Sequence, residues 1–315
     1  MGDPVLIGIR FALYANLMLV VGLAALPLYS MTRGERRGPE PMATIWRLER
    51  WLCATGLILS TLGMGVLVAS MQGVSPLSLE FDAFRGLVQE TDVGAAWIYR
   101  SAALLVALAT AIWLTSWPTV AAVLVAASGS VAVATLAWSG HAAATEGTAG
   151  PVHLLSDILH MIAAAIWIGA IGGFLILISP HVLRQVPDGQ CMATRSLDQF
   201  SRIGTVCVLV IGATGLINSQ MIVGIDHLAQ LPASPYGQLL LAKLALFGLM
   251  LVLAAANRWR LIPRLAIAVA HSDAEPPDAP LAAIRRSLFV EAAAALVILA
   301  LVGWLGTLEP LADGA

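Results

Sequence analysis

The stretch VHLLSDILHMIAAAIWIGAIGGFLILI, Val152–Ile178, decides the fold class. It exceeds the roughly 20 residues a helix needs to cross the hydrocarbon core of a bilayer, about 30 Å thick. In lipid its backbone groups find no water, so the segment must satisfy them internally as a helix. Seven more stretches pass the same test, near Val5–Met31, Leu52–Met71, Ala95–Thr115, Thr119–Ser139, Ile203–Val223, Tyr236–Ala256 and Leu288–Thr307. Trp117-Pro118 separates the third and fourth as a tight hairpin, because proline disfavours helix in the residue before it.

Composition agrees with that reading. Of 315 residues, 59% are hydrophobic and 11% charged, whereas soluble domains carry about 25% charged residues. The expectation is an all-α polytopic protein of eight spans, forming a single membrane domain over 1–315. A net charge of -2 supplies no basic surface for nucleic acid. Cys53, Cys191 and Cys207 have no CxxC spacing and make neither a disulfide framework nor a thiolate metal site. Met1-Gly2-Asp3-Pro4 lacks the basic region of a secretory signal, so the first apolar run is expected to remain as a span.

Arginines mark one side. The first loop carries Arg33, Arg36, Arg37, Arg47 and Arg50, the fifth Arg184, Arg195 and Arg202, and the seventh Arg258, Arg260, Arg264, Arg285 and Arg286. Alternate loops are acidic or nearly neutral, with Glu80, Asp82, Glu90 and Asp92, then Glu146, then Asp226. The positive-inside rule places the arginine loops in the cytoplasm and both termini in the periplasm. His271–Pro280 reads as a flexible cytoplasmic linker.

Ionisable groups within spans are costly and mark candidate functional sites. His153, Asp157 and His160 fall at i, i+4 and i+7 in the fifth span, on one helical face, and Trp167 extends the stripe. His160 lies about 10 Å below His153. Two imidazoles and a carboxylate on one face exceed what a single structural hydrogen bond requires. Imidazole accepts copper, zinc, iron or nickel, so the ladder does not name the metal, and Asp157 can instead fix a histidine tautomer.

Other polar groups reach the same outer half. His141 follows the outer end of the fourth span and joins His153 through a short loop containing Glu146. Lys243, Asn218 with Gln220, and Arg10 lie in the outer halves of the seventh, sixth and first spans. An ion pair between Lys243 and Asp157 would neutralise both charges. Met71 and Met221, at the outer ends of two spans, offer soft thioether donors, while Met64 and Met18 read as packing residues. His181 and His271 read as solvated, and His227 lies on the outer side. Gly169, Gly172 and Gly173 let another helix approach the fifth span closely. Walker, dinucleotide, nucleophile-elbow and HExxH motifs are missing, so an enzyme of common soluble mechanism is not expected.

Ser139-Gly140-His141-Ala142-Ala143, His153-Leu154-Leu155-Ser156-Asp157-Ile158-Leu159-His160 and Ala165-Ile166-Trp167-Ile168-Gly169 together resemble the CopD/PcoD family of bacterial copper-resistance membrane proteins. Tyr236–Leu244 and Asn257-Arg258 extend the likeness from the fourth span to the end of the seventh. The resemblance implies an eight-span inner-membrane protein that carries copper from periplasm to cytoplasm. Its copper-handling region would cover about 136–260. It implies a functional core of His141, His153, Asp157, His160 and Lys243. Related proteins often show a histidine near the position of Tyr14, and this chain departs there.

On the leading reading, His141 and His153 capture copper and pass it to His160, with Asp157 and Glu146 balancing charge. Asn218, Lys243 and Trp167 support the site, and Met71 and Met221 are further candidate ligands. Two other readings are a haem-binding redox protein, with His160 as an axial ligand, and a membrane partner that docks a periplasmic copper chaperone of the CopC type.

Overall fold

The computed structural model describes residues 4–75, 78–79, 81–140, 145, 147–186, 188–271 and 278–308. Eight helices in it are long and apolar enough to cross a membrane. Four open the chain: α1 (Pro4–Ser30), α3 (Met42–Gln72), α5 (Asp92–Trp113) and α6 (Pro118–Ala134), the last tightening into a 3₁₀ turn to Ser139. Four follow: α7 (Gly150–Leu177), α9 (Gly189–Ile222), α10 (Pro235–Ala256) and α12 (Asp278–Leu305). The short helices α2 (Arg33–Arg37), α4 (Phe81–Glu90), α8 (Pro180–Gln185) and α11 (Ile262–Ala270) lie between them.

Helix α1 is the hub, packed against α3, α6, α7 and α12. Its buried face, including Leu17, Val20, Ala24 and Leu26, belongs to the main apolar cores. The α1–α7 crossing is set by Gly22 and Gly169: a side chain on Gly22 would strike the Ala165 carbonyl and the Gly169 backbone. Backbones come this close in lipid where both helices present small residues, so the glycines after Trp167 do admit a neighbour, and that neighbour is α1. Helix α10 sits at the other extreme. It packs chiefly on α12 and its own flanking turns.

Helix ends follow local chemistry. Ser234 accepts a hydrogen bond from Gly237 N–H at 3.0 Å and caps α10, with Pro235 in the first turn. Thr91 caps α5 through Gly94 N–H at 3.0 Å. Gly73 closes α3 at φ +67, a left-handed conformation that favours glycine.

The apolar runs understate several helices. Helices α3, α9 and α12 begin well before Leu52, Ile203 and Leu288, so Arg47, Arg50, Arg195, Arg202, Arg285 and Arg286 stand on helical extensions and not in loops. Hydropathy registers only the lipid-length portion, while hydrogen bonding continues past it. A π turn over Asn257–Leu261 likewise carries α10 on into α11. Helix α4 was expected to be loop. It has no buried residue and is amphipathic, and Phe84 meets Trp97 of α5 edge-on at 5.9 Å. In the linker, residues 272–277 lie outside the described residues, and Asp278–Pro280 form the first turn of α12.

Candidate functional site

Helices α7, α9, α10 and α12 enclose a polar chamber of about 130 Å3 at the end of the bundle away from the arginine-bearing segments. Its walls include His153, Asp157 and His160 from α7, Asn218 from α9, Lys243 from α10, and Arg10 with Tyr14 from α1. The helical spacing on α7 therefore does what it implies, turning all three ionisable side chains toward one space. We call it the outer chamber.

Each histidine is held by a threonine. The Nδ1 of His153 lies 2.7 Å from Thr145 Oγ1, and that of His160 lies 3.0 Å from Thr214 Oγ1. Thr214 spends its own hydroxyl proton on the Val210 carbonyl at 2.5 Å. Its oxygen is thus the acceptor, which assigns the proton of His160 to Nδ1 and leaves Nε2 with a lone pair. A ligating histidine is oriented by such a bond on its other nitrogen. Ser156 Oγ donates to the Thr214 carbonyl at 3.2 Å, a second tie between α7 and α9.

Asn218 donates from Nδ2 to Asp157 Oδ1 at 3.3 Å, while its own Oδ1 is buried without a partner among the described residues. Lys243 shares the chamber with Asp157 and interacts with it electrostatically. Far from the chamber, Arg195 forms an ion pair with Glu35. Arg10 braces the chamber rim, donating to the Gly306 carbonyl at 3.1 Å and the Ser139 carbonyl at 2.9 Å.

The other candidates fall elsewhere. His141 and Glu146 lie outside the described residues. Among the described residues no group of three His, Cys, Asp or Glu side chains is placed to hold a metal ion. His153 and His160 are two turns apart on one helix. Trp167 lies below the chamber, stacked edge-on against Phe247 at 6.0 Å. Met71 is 68% exposed beside α4, and neither it nor Met221 lines the chamber. His227 turns its Nδ1 to the Val223 carbonyl at 3.0 Å.

Sequence reasoning passed over three buried ionisable groups. Glu291, inside the expected eighth span, accepts from Asn257 Nδ2 at 2.5 Å. Arg100, inside the third, donates from Nε to Ser60 Oγ at 2.8 Å. Glu49, just before the second, is fully buried. The rule that flagged Asp157 applies equally to Glu291 and Arg100. The threonine partners carried no such signal, because their role exists only once α9 and the chain before α7 lie beside the histidines.

Comparison with known proteins places the chain in a family. Residues 1–151 match the model of the copper resistance protein D-like N-terminal domain, and residues 194–305 match that of copper resistance protein D. Copper resistance protein D of Pseudomonas syringae pv. tomato is 37% identical over 313 residues, covering 98% of both chains. Inner membrane protein YebZ of Escherichia coli (strain K12) is 28% identical, covering 96% of this chain and 98% of its own. Copper transport protein CutJ of Bacillus subtilis (strain 168) is 39% identical over 121 residues, 38% of this chain and 21% of its own. No solved structure matches the chain significantly. Full-length identity and two matched family models lead to one conclusion: this chain belongs to the copper resistance protein D family.

Proposed function

We propose that this protein binds copper in the outer chamber and passes it from the periplasmic face of a bacterial inner membrane toward the cytoplasm. The observation that carries the reading is the face of α7 on which His153, Asp157 and His160 line one polar chamber, in a chain of a copper-resistance family. Imidazole nitrogens with a nearby carboxylate suit copper better than magnesium or calcium, which prefer all-oxygen shells. His141, one short loop away, completes the ligand set in this reading, and Glu146 helps to balance charge. Copper is cargo here, and the protein performs no chemical conversion on it. A periplasmic chaperone of the CopC type would deliver it. Support for transport also comes from the partial relative that is named a copper transport protein. The arginine-bearing segments support an orientation with both termini periplasmic.

The haem reading fits the chamber less well. Its volume of about 130 Å3 is below the roughly 300–1,000 Å3 of ordinary ligand pockets.

Copper uptake into proteoliposomes, with sidedness read by labelling Gly38→Cys, tests the proposal. His153→Ala and His160→Ala should each reduce uptake and equilibrium copper binding at least tenfold while the protein still inserts. His271→Ala, on the far side, should change neither. Wild-type copper binding in the His141/His153/His160 triple alanine variant, or labelling of Gly38→Cys from the periplasm, overturns it. Binding without uptake would leave a docking partner for a copper chaperone.

A further inference from the structure

A second, larger cavity of about 310 Å3 lies on the other side of Trp167, which forms part of its wall. Phe174, Phe200, Val208, Leu251 and Leu288 make most of its wall apolar. Into this wall α12 brings Glu291, 2% exposed, and the π turn after α10 brings Asn257, 8% exposed. Asn257 Nδ2 donates to Glu291 Oε1, and Asn257 Oδ1 is buried with no partner among the described residues. A π turn often marks a functional position in a helix.

A carboxylate in such a place needs a counter-charge, because an unpaired ion in low dielectric is strongly unfavourable and neutralises instead. The neighbouring elements supply none at contact. Segment Trp167–Leu177 of α7 contains no titratable residue, and Tyr29 of α1, packed on Phe200, and Cys207 of α9, beside Val208, are titratable but carry no positive charge. Arg202 of α9 and Arg264 of α11 are exposed. Arg285, on α12 itself, donates to the Ile178 carbonyl. Arg258 also lines the cavity, but its guanidinium is engaged by the Ser201 carbonyl at 3.2 Å and Thr205 Oγ1 at 2.6 Å. Among the described residues Glu291 takes part in no ion pair.

Glu49 makes the informative contrast. It is 0% exposed, both its oxygens lack partners among the described residues, and it lines none of the cavities described here. Glu291 has the same burial but faces a cavity that Arg258 and Trp259 border at the arginine-bearing end. One carboxyl is sealed and the other has a route.

We propose that Glu291 is a proton-exchange site, loading and releasing a proton through this inner chamber. Asn257 holds Oε1 by donation and offers Oδ1 as an acceptor for the arriving water. The step balances as one proton passing from hydronium to a carboxylate oxygen, leaving water, and the reverse on release. The proposal stands on the inner chamber alone and not on what the outer chamber binds.

Infrared difference spectroscopy on the full chain in lipid nanodiscs, without copper, tests it. Wild-type protein in acidic buffer should show a carboxylic-acid carbonyl band that is lost as the pH is raised and shifts in heavy water. Glu291→Gln should lack this band, and Glu49→Gln should retain it. Glu291→Asp should move its frequency, which identifies the band even if the glutamine variant fails to insert. A band indifferent to pH and heavy water, or a Glu291 carboxylate signal at every pH, overturns the proposal.

Discussion

The outer and inner chambers share the same four helices and differ in how their polar groups are held. In the outer chamber, His160 and Asp157 of α7 are each gripped by α9, through Thr214 and Asn218. In the inner chamber the polar contact joins α10 to α12, through Asn257 and Glu291, with aromatic and aliphatic walls around it. A site meant to hold a metal needs ligands fixed in tautomer and direction. A site meant to exchange a proton needs one carboxyl and access. The contrast fits the two proposed tasks, metal binding in the outer chamber and proton exchange in the inner one, with Trp167 of α7 between the two linings.

The largest expected effect comes from removing that partition. Trp167 is 4% exposed, and truncating a buried tryptophan costs on the order of 3–5 kcal/mol through the cavity left behind. Trp167→Ala should lower thermal stability markedly and join the two spaces, so that proteoliposomes become leaky to protons. A tight, fully stable Trp167→Ala variant would mean that the chambers are separated by something else.

Thr214→Val keeps the shape of the side chain and removes the acceptor for His160 Nδ1. Loss of a partner behind a metal-binding histidine typically costs about 10–100-fold in metal affinity. Copper binding should weaken by that amount while the Glu291 infrared band is untouched. If both change, the chambers are coupled and not merely adjacent.

The smallest effect is expected outside both chambers. Glu35 of α2 pairs with Arg195 of α9 and closes a capping box with Thr32. Its partial burial alone would raise the carboxyl pKa, but the hydrogen bonds from Thr32 and the Arg195 charge outweigh this and hold it below the usual value. The stabilisation is therefore present above the unfolded carboxylate range and is lost as pH falls through the lower folded value. Because the pair is partly exposed and screened, Glu35→Gln, which can preserve the capping box, should cost no more than about 0.5 kcal/mol near neutral pH. The difference should vanish in acid. A larger loss, read from thermal melts at several pH values, would show that the pair braces the inner chamber.

The spans and the α7 ladder were legible because each depends on one helix. Apolar length sets a span, and the spacing of His153, Asp157 and His160 sets a face. Which helix meets that face is a tertiary matter, so Thr214 and Asn218 emerged as partners only when α9 took its place. Asn257 entered the sequence reading as part of the family likeness, and the π turn buries it against Glu291. Helix α4 escaped because it is short and amphipathic, and the hydropathy test for spans does not detect that pattern. Tyr14, read as a departure from the related sequences, in fact lines the outer chamber.

The Gly22–Gly169 crossing has a mechanical consequence. With no side chain between the two backbones, α1 and α7 have little freedom to slide, and they act as a stator. His153, Asp157 and His160 ride on that stator. Lys243 and Asn257 ride on the α10 segment, which rests mainly on α12 and so meets the α1–α7 pair chiefly through it. A displacement of α10 against that pair would carry Lys243 past the α7 histidines.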